Sequence, residues 1–269
     1  MIAREAQMKV QVLVATMNQT DDSLLQKMNI QTDAVICNQC DRYDFKEFSY
    51  RGRSIRWFSF CERGVGLNRN NALMRATGDI VLFADDDVVY YDGYEKIIVD
   101  YYESHPDADM VIFNFKMRRG NTDFYERVTK EGRIGKKSAA KYGAYCISAR
   151  RERLRFANVY FHQDFGGGTR YSCGEDTLFL QDCLGKRLKI YASKDVIGVL
   201  DHGESTWFSG YNDKFFFDKG VLFYCLDQRL CRLLSVYHCF KHRRRYHAYG
   251  WRRALRQMQN GIRYAKRIK

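Results

Sequence analysis

The chain has 269 residues, 45% of them hydrophobic and 15% aromatic, one proline, and a formal charge of +13. This suits one large α/β domain, alone or with an appendage, and excludes a disordered or low-complexity chain. No apolar run reaches the ~20 residues that span a bilayer; residues 221–240 come closest and are broken by Asp227, Arg229 and Arg232.

Residues 9–15 (KVQVLVA) alternate and are rich in β-branched side chains, which predicts the first strand. A helix over 23–30 follows, with Asp21 or Asp22 near its cap. Residues 34–37 and 54–58 read as strands, joined by a polar connection over 43–53. Next come a helix over 67–76, a strand over 80–84, a helix over 94–104 and a strand over 110–115. Strands alternating with helices predict an α/β fold with a mostly parallel sheet between helices. Residues 116–145 are polar and poorly periodic, and read as a crossover or a loop over the sheet. Three glycines at 166–168 mark a turn, 177–184 a helix, and 188–191 and 196–200 two short strands. From residue 215 the pattern is helical and amphipathic to the end. The expected organisation is a catalytic domain over 8–210 and a basic helical region over 211–269.

The most informative stretch is 64–87, GVGLNRNNALMRATGDIVLFADDD. A buried strand running into Asp85, Asp86 and Asp87 puts three acids at the carboxyl edge of a sheet, where open α/β folds bind ligands. In an extended segment Asp85 and Asp87 face one side. Their mutual repulsion calls for a positive partner, most simply a divalent metal on oxygen ligands. Asn68, Arg69, Asn70 and Asn71 open a helix, whose N-terminus favours anions such as a diphosphate. Glu175 and Asp176 open another helix just after the glycine-rich turn. His202 follows a short strand and is a ligand type that suits manganese.

Nine cysteines lack regular spacing, and residues 1–7 carry no secretory signal, so reduced thiols and a cytosolic location are expected. Cys37-x-x-Cys40 has no second pair at zinc spacing and reads as coincidence.

Together VQVLVATMN, ERGVGLNRNNALMRATGDIVLFADDD, GGGTRYSCGEDTLF and DHGEST resemble glycosyltransferase family 2, the GT-A fold of inverting nucleotide-sugar transferases, over about the first two hundred residues. The likeness is strongest to bacterial enzymes that build surface polysaccharides. It implies that Asp87 ligates Mn²⁺ or Mg²⁺ on the diphosphate and that Asp85 contacts the ribose or the metal, with His202 completing the metal site. It places Asp86 near the donor sugar, Arg69 and Asn70 beside the donor, and Thr16 against the nucleotide. It makes Asp176 the catalytic base and gives Glu175 the orientation of a sugar. The family's acidic run after the second strand is replaced here by Asn38-Gln39-Cys40-Asp41. Asn38 is then expected to meet the base edge of a UDP-sugar, with Asp41 shifted toward the missing role. The acceptor, a glycan or lipid-linked hydroxyl, is expected at residues 166–171 and 116–145.

The charge is localised. Residues 241–269 hold 11 Lys or Arg and no acid, which leaves +2 for the remainder. Trp251, Leu255, Met258, Ile262 and Ala265 recur at helical spacing among Arg252, Arg253, Arg256, Arg263, Lys266 and Arg267. This is the pattern of a helix lying on an anionic membrane surface, and it predicts a peripheral protein on the inner face of the cell membrane. The alternative is a helix packed on the domain with a solvated basic face. A nucleotidyltransferase would want a glycine-rich, lysine-bearing phosphate loop that VATMNQTD lacks. A nucleic-acid-binding protein acting through its tail would leave the clustered acids without a use, so no nucleic-acid partner is expected.

Overall fold

The computed structural model describes residues 8–119, 123–200 and 210–268. In chain order the first half is β1 (Val10–Met17), α1 (Ser23–Lys27), β2 (Asp33–Gln39), β3 (Asp44–Tyr50), β4 (Arg53–Phe60), α2 (Val65–Arg75), β5 (Ile80–Asp85), β6 (Val88–Tyr90), α3 (Tyr94–Ser104) and β7 (Met110–Arg119). The second half is β8 (Asp123–Tyr125), β9 (Gly132–Arg133), α4 (Lys136–Ala139), β10 (Ile147–Arg150), α5 (Arg151–Ala157), α6 (Glu175–Gly185), β11 (Ile190–Leu200), α7 (Asp213–Leu226), α8 (Cys231–Lys241) and α9 (Trp251–Ile268).

The strands form one mixed sheet in the order β3-β4-β2-β1-β5-β10-β7-β11-β6, with β8 beside β7 and β9 beside β11. β4, β2, β1 and β5 are mutually parallel, as are β7 and β11. Antiparallel β10 joins these two blocks. β1 and β5 are central, and nearly every side chain on them is buried, which explains their continuous apolar runs. From β1 the chain goes outward to β2, whereas β5 pairs on the other side of β1. The strand order therefore reverses between β1 and β5, and the crevice at their carboxyl ends is the binding position of such sheets. The turn into β5 is tight: a Cβ on Gly78 would lie 2.7 Å from that of Gln11.

The α/β expectation stands, with differences in detail. Residues 43–53 contain β3, an antiparallel edge strand, rather than a plain connection. Arg51 and Gly52 both have positive φ, 49° and 75°, as a two-residue hairpin of the primed type requires. β3 was hard to read because most of its residues are exposed on both faces, so alternation left no apolar signature. The two short strands after residue 188 are one strand, β11, carried past the polar Ser193–Asp195 stretch by shifts of register. Residues 116–145 hold the end of β7 together with β8, β9 and α4.

A second apolar cluster joins Phe165, Tyr171 and Leu178 to Phe216, Leu222, Met258 and Ile262 of the C-terminal helices. α7 and α9 meet backbone to backbone: a Cβ on Gly220 would lie 2.0 Å from the Met258 carbonyl, and one on Gly261 2.0 Å from that of Phe217. For α9 the arrangement is the packed-helix alternative. Met258, Ile262 and Ala265 are buried against neighbouring helices and Leu255 is half-buried, so most of the apolar stripe of α9 is used inside the protein, while Trp251 stays exposed and the arginines line the outer face. The missing side chains of Gly220 and Gly261 are what allow that close approach. Among the described residues no helix is long and apolar enough to cross a membrane. The nine cysteines are free, and Cys37 is a fully buried part of β2.

Candidate active site

α2 is buried all round its middle, where Asn68, Arg69, Asn70 and Asn71 precede Ala72 and Leu73. Burying these polar groups costs free energy unless each is paired, and the pairings build the site. Asn68 donates to the Thr16 carbonyl at the end of β1 (3.1 Å). Asn70 donates to the Phe161 carbonyl and accepts from its N–H, both at 2.8 Å. Asn71 donates to Glu62 (2.6 Å). Gly66 lets α2 lie on the next segment, because a Cβ there would be 2.5 Å from the His162 carbonyl.

Arg69 is the hub. Its side chain is only 4% exposed and meets three carboxylates: Asp85 at 2.7 Å, Asp176 at 2.9 Å and Glu175 at 3.2 Å. Burial alone would lower its pKa, but the three acids overcome that and hold it firmly protonated. One guanidinium shared among three acids does not neutralise them all. The Asp176 carboxyl is pushed up from 3.8 to about 7, first by burial and then by the Glu175 charge; Arg69 opposes the shift and Asp85 adds to it. A backbone N–H of Ala144 also donates to Asp176 and favours its charged form.

The loop before α6 is held from behind. A Cβ on Gly166 would lie 2.7 Å from the Glu175 carboxyl carbon, and one on Gly174 2.7 Å from Leu222 of α7. The Ser172 N–H donates to Asp218 of α7 (2.9 Å), whose carboxylate also takes Lys214 (2.6 Å). The C-terminal helices thus brace the Glu175–Asp176 pair.

At the end of β5 the strand stops at Asp85, and Asp86 with Asp87 turns into β6. Asp85 and Asp87 are therefore not alternate residues of one extended strand, as the sequence had suggested. Thr16, 4% exposed, donates to Asp86 at 2.6 Å and accepts from Gln19 at 2.9 Å. Burial raises the Asp86 pKa, the Thr16 bond opposes this, and Asp85 and Asp87 add to the rise.

Several of the residues picked out from the sequence have partners within the chain. Thr16 spends its hydroxyl on Asp86 and Gln19. Asn38 is fully buried, and both ends of its amide bond the Gln19 main chain (2.9 Å each), so it shapes the turn after β1. Asn70 likewise pairs with the Phe161 main chain, and Arg69 with three acids. Asp41 is exposed beside Arg42. His202 lies outside the described residues.

The donor chemistry of Asp85 and Asp87 fits a hard divalent cation. Arg69 occupies one oxygen of Asp85, and among the described residues no group of three His, Cys, Asp or Glu side chains is gathered to hold a metal. A complete site therefore needs a ligand beyond this set, the position for which His202 was picked out. The sequence reading missed a cavity of about 340 Å³ beside the β1 and β2 ends, lined by Gln19, Asp22, Arg42, Lys46, Phe48 and Trp57. It lies against β3, which was not recognised as a strand. Also missed were the bracing groups Asp218 and Leu222, which no local motif announces.

Residues 44–188 match the sequence profile described as Glycosyl transferase family 2. The chain belongs to this family. The match takes in Arg69, Asp85–Asp87 and Glu175–Asp176, and leaves out β1, β2 and everything after residue 188. No curated protein matches the sequence. Among solved structures, residues 1–349 of S. aureus TarS align at TM-score 0.59 and 14% identity, covering 97% of this chain and 92% of that one. The same fragment in complex with UDP-GlcNAc aligns at TM-score 0.58 and 17% identity, over 81% of this chain and 66% of that one. A longer S. aureus TarS chain aligns at TM-score 0.56 and 16% identity, over 80% of this chain, which spans 39% of it. At these identities the likeness speaks for the shared fold.

Proposed function

We propose that the protein is a metal-dependent, inverting glycosyltransferase. It moves a sugar from a nucleoside-diphosphate donor to a hydroxyl of a glycan or lipid-linked acceptor in surface-polysaccharide synthesis. The observation that carries this reading is the Asp176 carboxyl. Through Arg69 it is held with Glu175 beside Asp85 at the carboxyl edge of a family-2 sheet, and burial raises its proton affinity toward that of a base.

Asp85 and Asp87, with His202, are the residues that would hold Mn²⁺ or Mg²⁺, which when bound offsets charge on the leaving diphosphate. Asp176 accepts the proton of the acceptor hydroxyl as that oxygen attacks the anomeric carbon. The bond from that carbon to the diphosphate oxygen breaks on the opposite face, the configuration inverts, and the proton stays on Asp176. Base assistance of this kind contributes ~10²–10⁴-fold. Arg69 keeps Asp85, Glu175 and Asp176 in one cluster and limits their repulsion. Asn38 fixes the Gln19 turn at the cavity lined by Trp57, where the nucleoside would sit. A uridine donor is favoured because the TarS structure that aligns here is a complex with UDP-GlcNAc. A lipid-linked acceptor places the protein at the inner membrane surface.

Nucleotide release from a panel of nucleotide sugars, with Mn²⁺ and with EDTA, tests this. Metal-dependent release from one uridine donor is expected. A folded protein that binds no donor would sink the proposal.

A further inference from the structure

α8 presents its own amphipathic surface to solvent. Leu230 just before it and Leu233, Val236, Tyr237 and Phe240 along it are exposed by 49%, 66%, 49%, 61% and 67%. At 100° per residue these five fall within one sector of about 120° on the helix. The opposite side, with Cys231, Ser235 and Cys239, is buried. Single exposed apolar side chains are ordinary, but a contiguous row on one helix marks a contact surface.

The rim of this row is cationic. Arg229 and Arg232 flank it at one end and Lys241 at the other, all exposed. Beyond Lys241 the chain turns through Arg243, Arg244 and Arg245, which with Lys241 and His242 line a concavity of about 390 Å³. The Arg243 guanidinium lies 4.6 Å from the Phe240 ring centroid, so the charge and the apolar row are contiguous. No acid lies between residues 228 and 269.

We propose that α8 and the turn after it form a monotopic docking surface for an anionic phospholipid bilayer. The apolar row enters the headgroup boundary and the 241–245 concavity takes lipid phosphates. An apolar face rimmed by Lys and Arg is the arrangement that binds this interface. A nucleic acid would use the cations but leave Leu233 and Phe240 without a role. This deepens the proposed lipid-linked acceptor and rests on that reading for its purpose, while the binding itself does not depend on it. α8 is linked to the catalytic pair through the apolar cluster that also holds Leu178 of α6.

Flotation of the full chain with phosphatidylcholine vesicles, with and without phosphatidylglycerol, is the test. The wild type should float only with phosphatidylglycerol. The double variant Leu233→Ser, Phe240→Ser should bind at least about tenfold more weakly. The triple variant Arg243→Ser, Arg244→Ser, Arg245→Ser should lose about a hundredfold, at roughly fivefold per cation. All five side chains are exposed, so unchanged thermal melts are expected. Equal flotation of wild type and variants would overturn the proposal, as would wild-type binding to RNA in place of vesicles. Nucleotide release from a soluble donor should be unchanged in both variants. Its loss in every protein, wild type included, would count against the transferase reading and leave the flotation result standing.

Discussion

At the scale of single residues, the site turns on one cation and three acids. Removing the cation leaves buried like charges uncompensated. Arg69→Met should therefore destabilise the protein by about 3–5 kcal/mol, measured by urea titration. The Asp176 titration has a definite sign. Its folded pKa of about 7 lies above the ordinary 3.8, so the folded state binds more protons between those values. Unfolding free energy contributed by this group is thus highest at low pH and falls as pH rises from about 4 to about 7. Asp176→Asn should flatten that slope in pH-dependent melts. Asp86 is raised in the same direction, so some slope remains. A variant slope equal to wild type would refute the raised carboxyl. Sequence alone picked out Arg69, Asp85, Glu175 and Asp176, because acids at a strand end and at a helix start are local patterns. It could not show what Arg69 does, since the Glu175 and Asp176 that hold it lie 106 and 107 positions further on. The main-chain partners of Asn38 and Asn70 were hidden for the same reason. A buried amide reads the same in sequence whether its partner is a ligand or a main-chain group.

At the scale of elements, close backbone approach fixes where the site residues stand. α2 can lie on the 161–162 segment only because residue 66 has no Cβ. Gly66→Ala should cost roughly 1–3 kcal/mol by overpacking, and should lower turnover because Arg69 rides on that helix. A melt unchanged from wild type would show that the segment yields. α3 was legible to its ends, since Tyr94, Ile98, Val99 and Tyr102 form a buried stripe at helical spacing. β3 was not, because an exposed edge strand carries charges where a core strand carries apolar residues. The cost of that miss was functional, for the cavity beside β1 and β2 is walled by Lys46 and Phe48 of β3.

At the scale of the whole molecule, the basic C-terminal helices are part of the site's foundation. Met258 and Ile262 of α9 complete the cluster in which Leu178 and Leu222 sit, and Asp218 of α7 holds the Ser172 N–H. A chain ending at residue 250 should melt well below the full protein and lose turnover, measured by calorimetry and nucleotide release. Full activity in that truncation would show the helices to be an independent appendage. The charge asymmetry was plain in the sequence. The direction in which α9 turns its apolar stripe was not, because a stripe that packs on α7 and one that enters a membrane have the same period. Gly261 and Ala265 within it were the hint, since small residues permit helix contact and add little to lipid affinity.

The central claim is that Asp176 is the base of an inverting sugar transfer, and comparison of wild type with Asp176→Asn tests it most directly. Donor binding and single-turnover sugar transfer should be measured on both proteins with Mn²⁺ present. The account predicts that the variant binds donor within a few-fold of wild type and transfers ~10²–10⁴-fold more slowly. Transfer by Asp176→Asn at near the wild-type rate would contradict it.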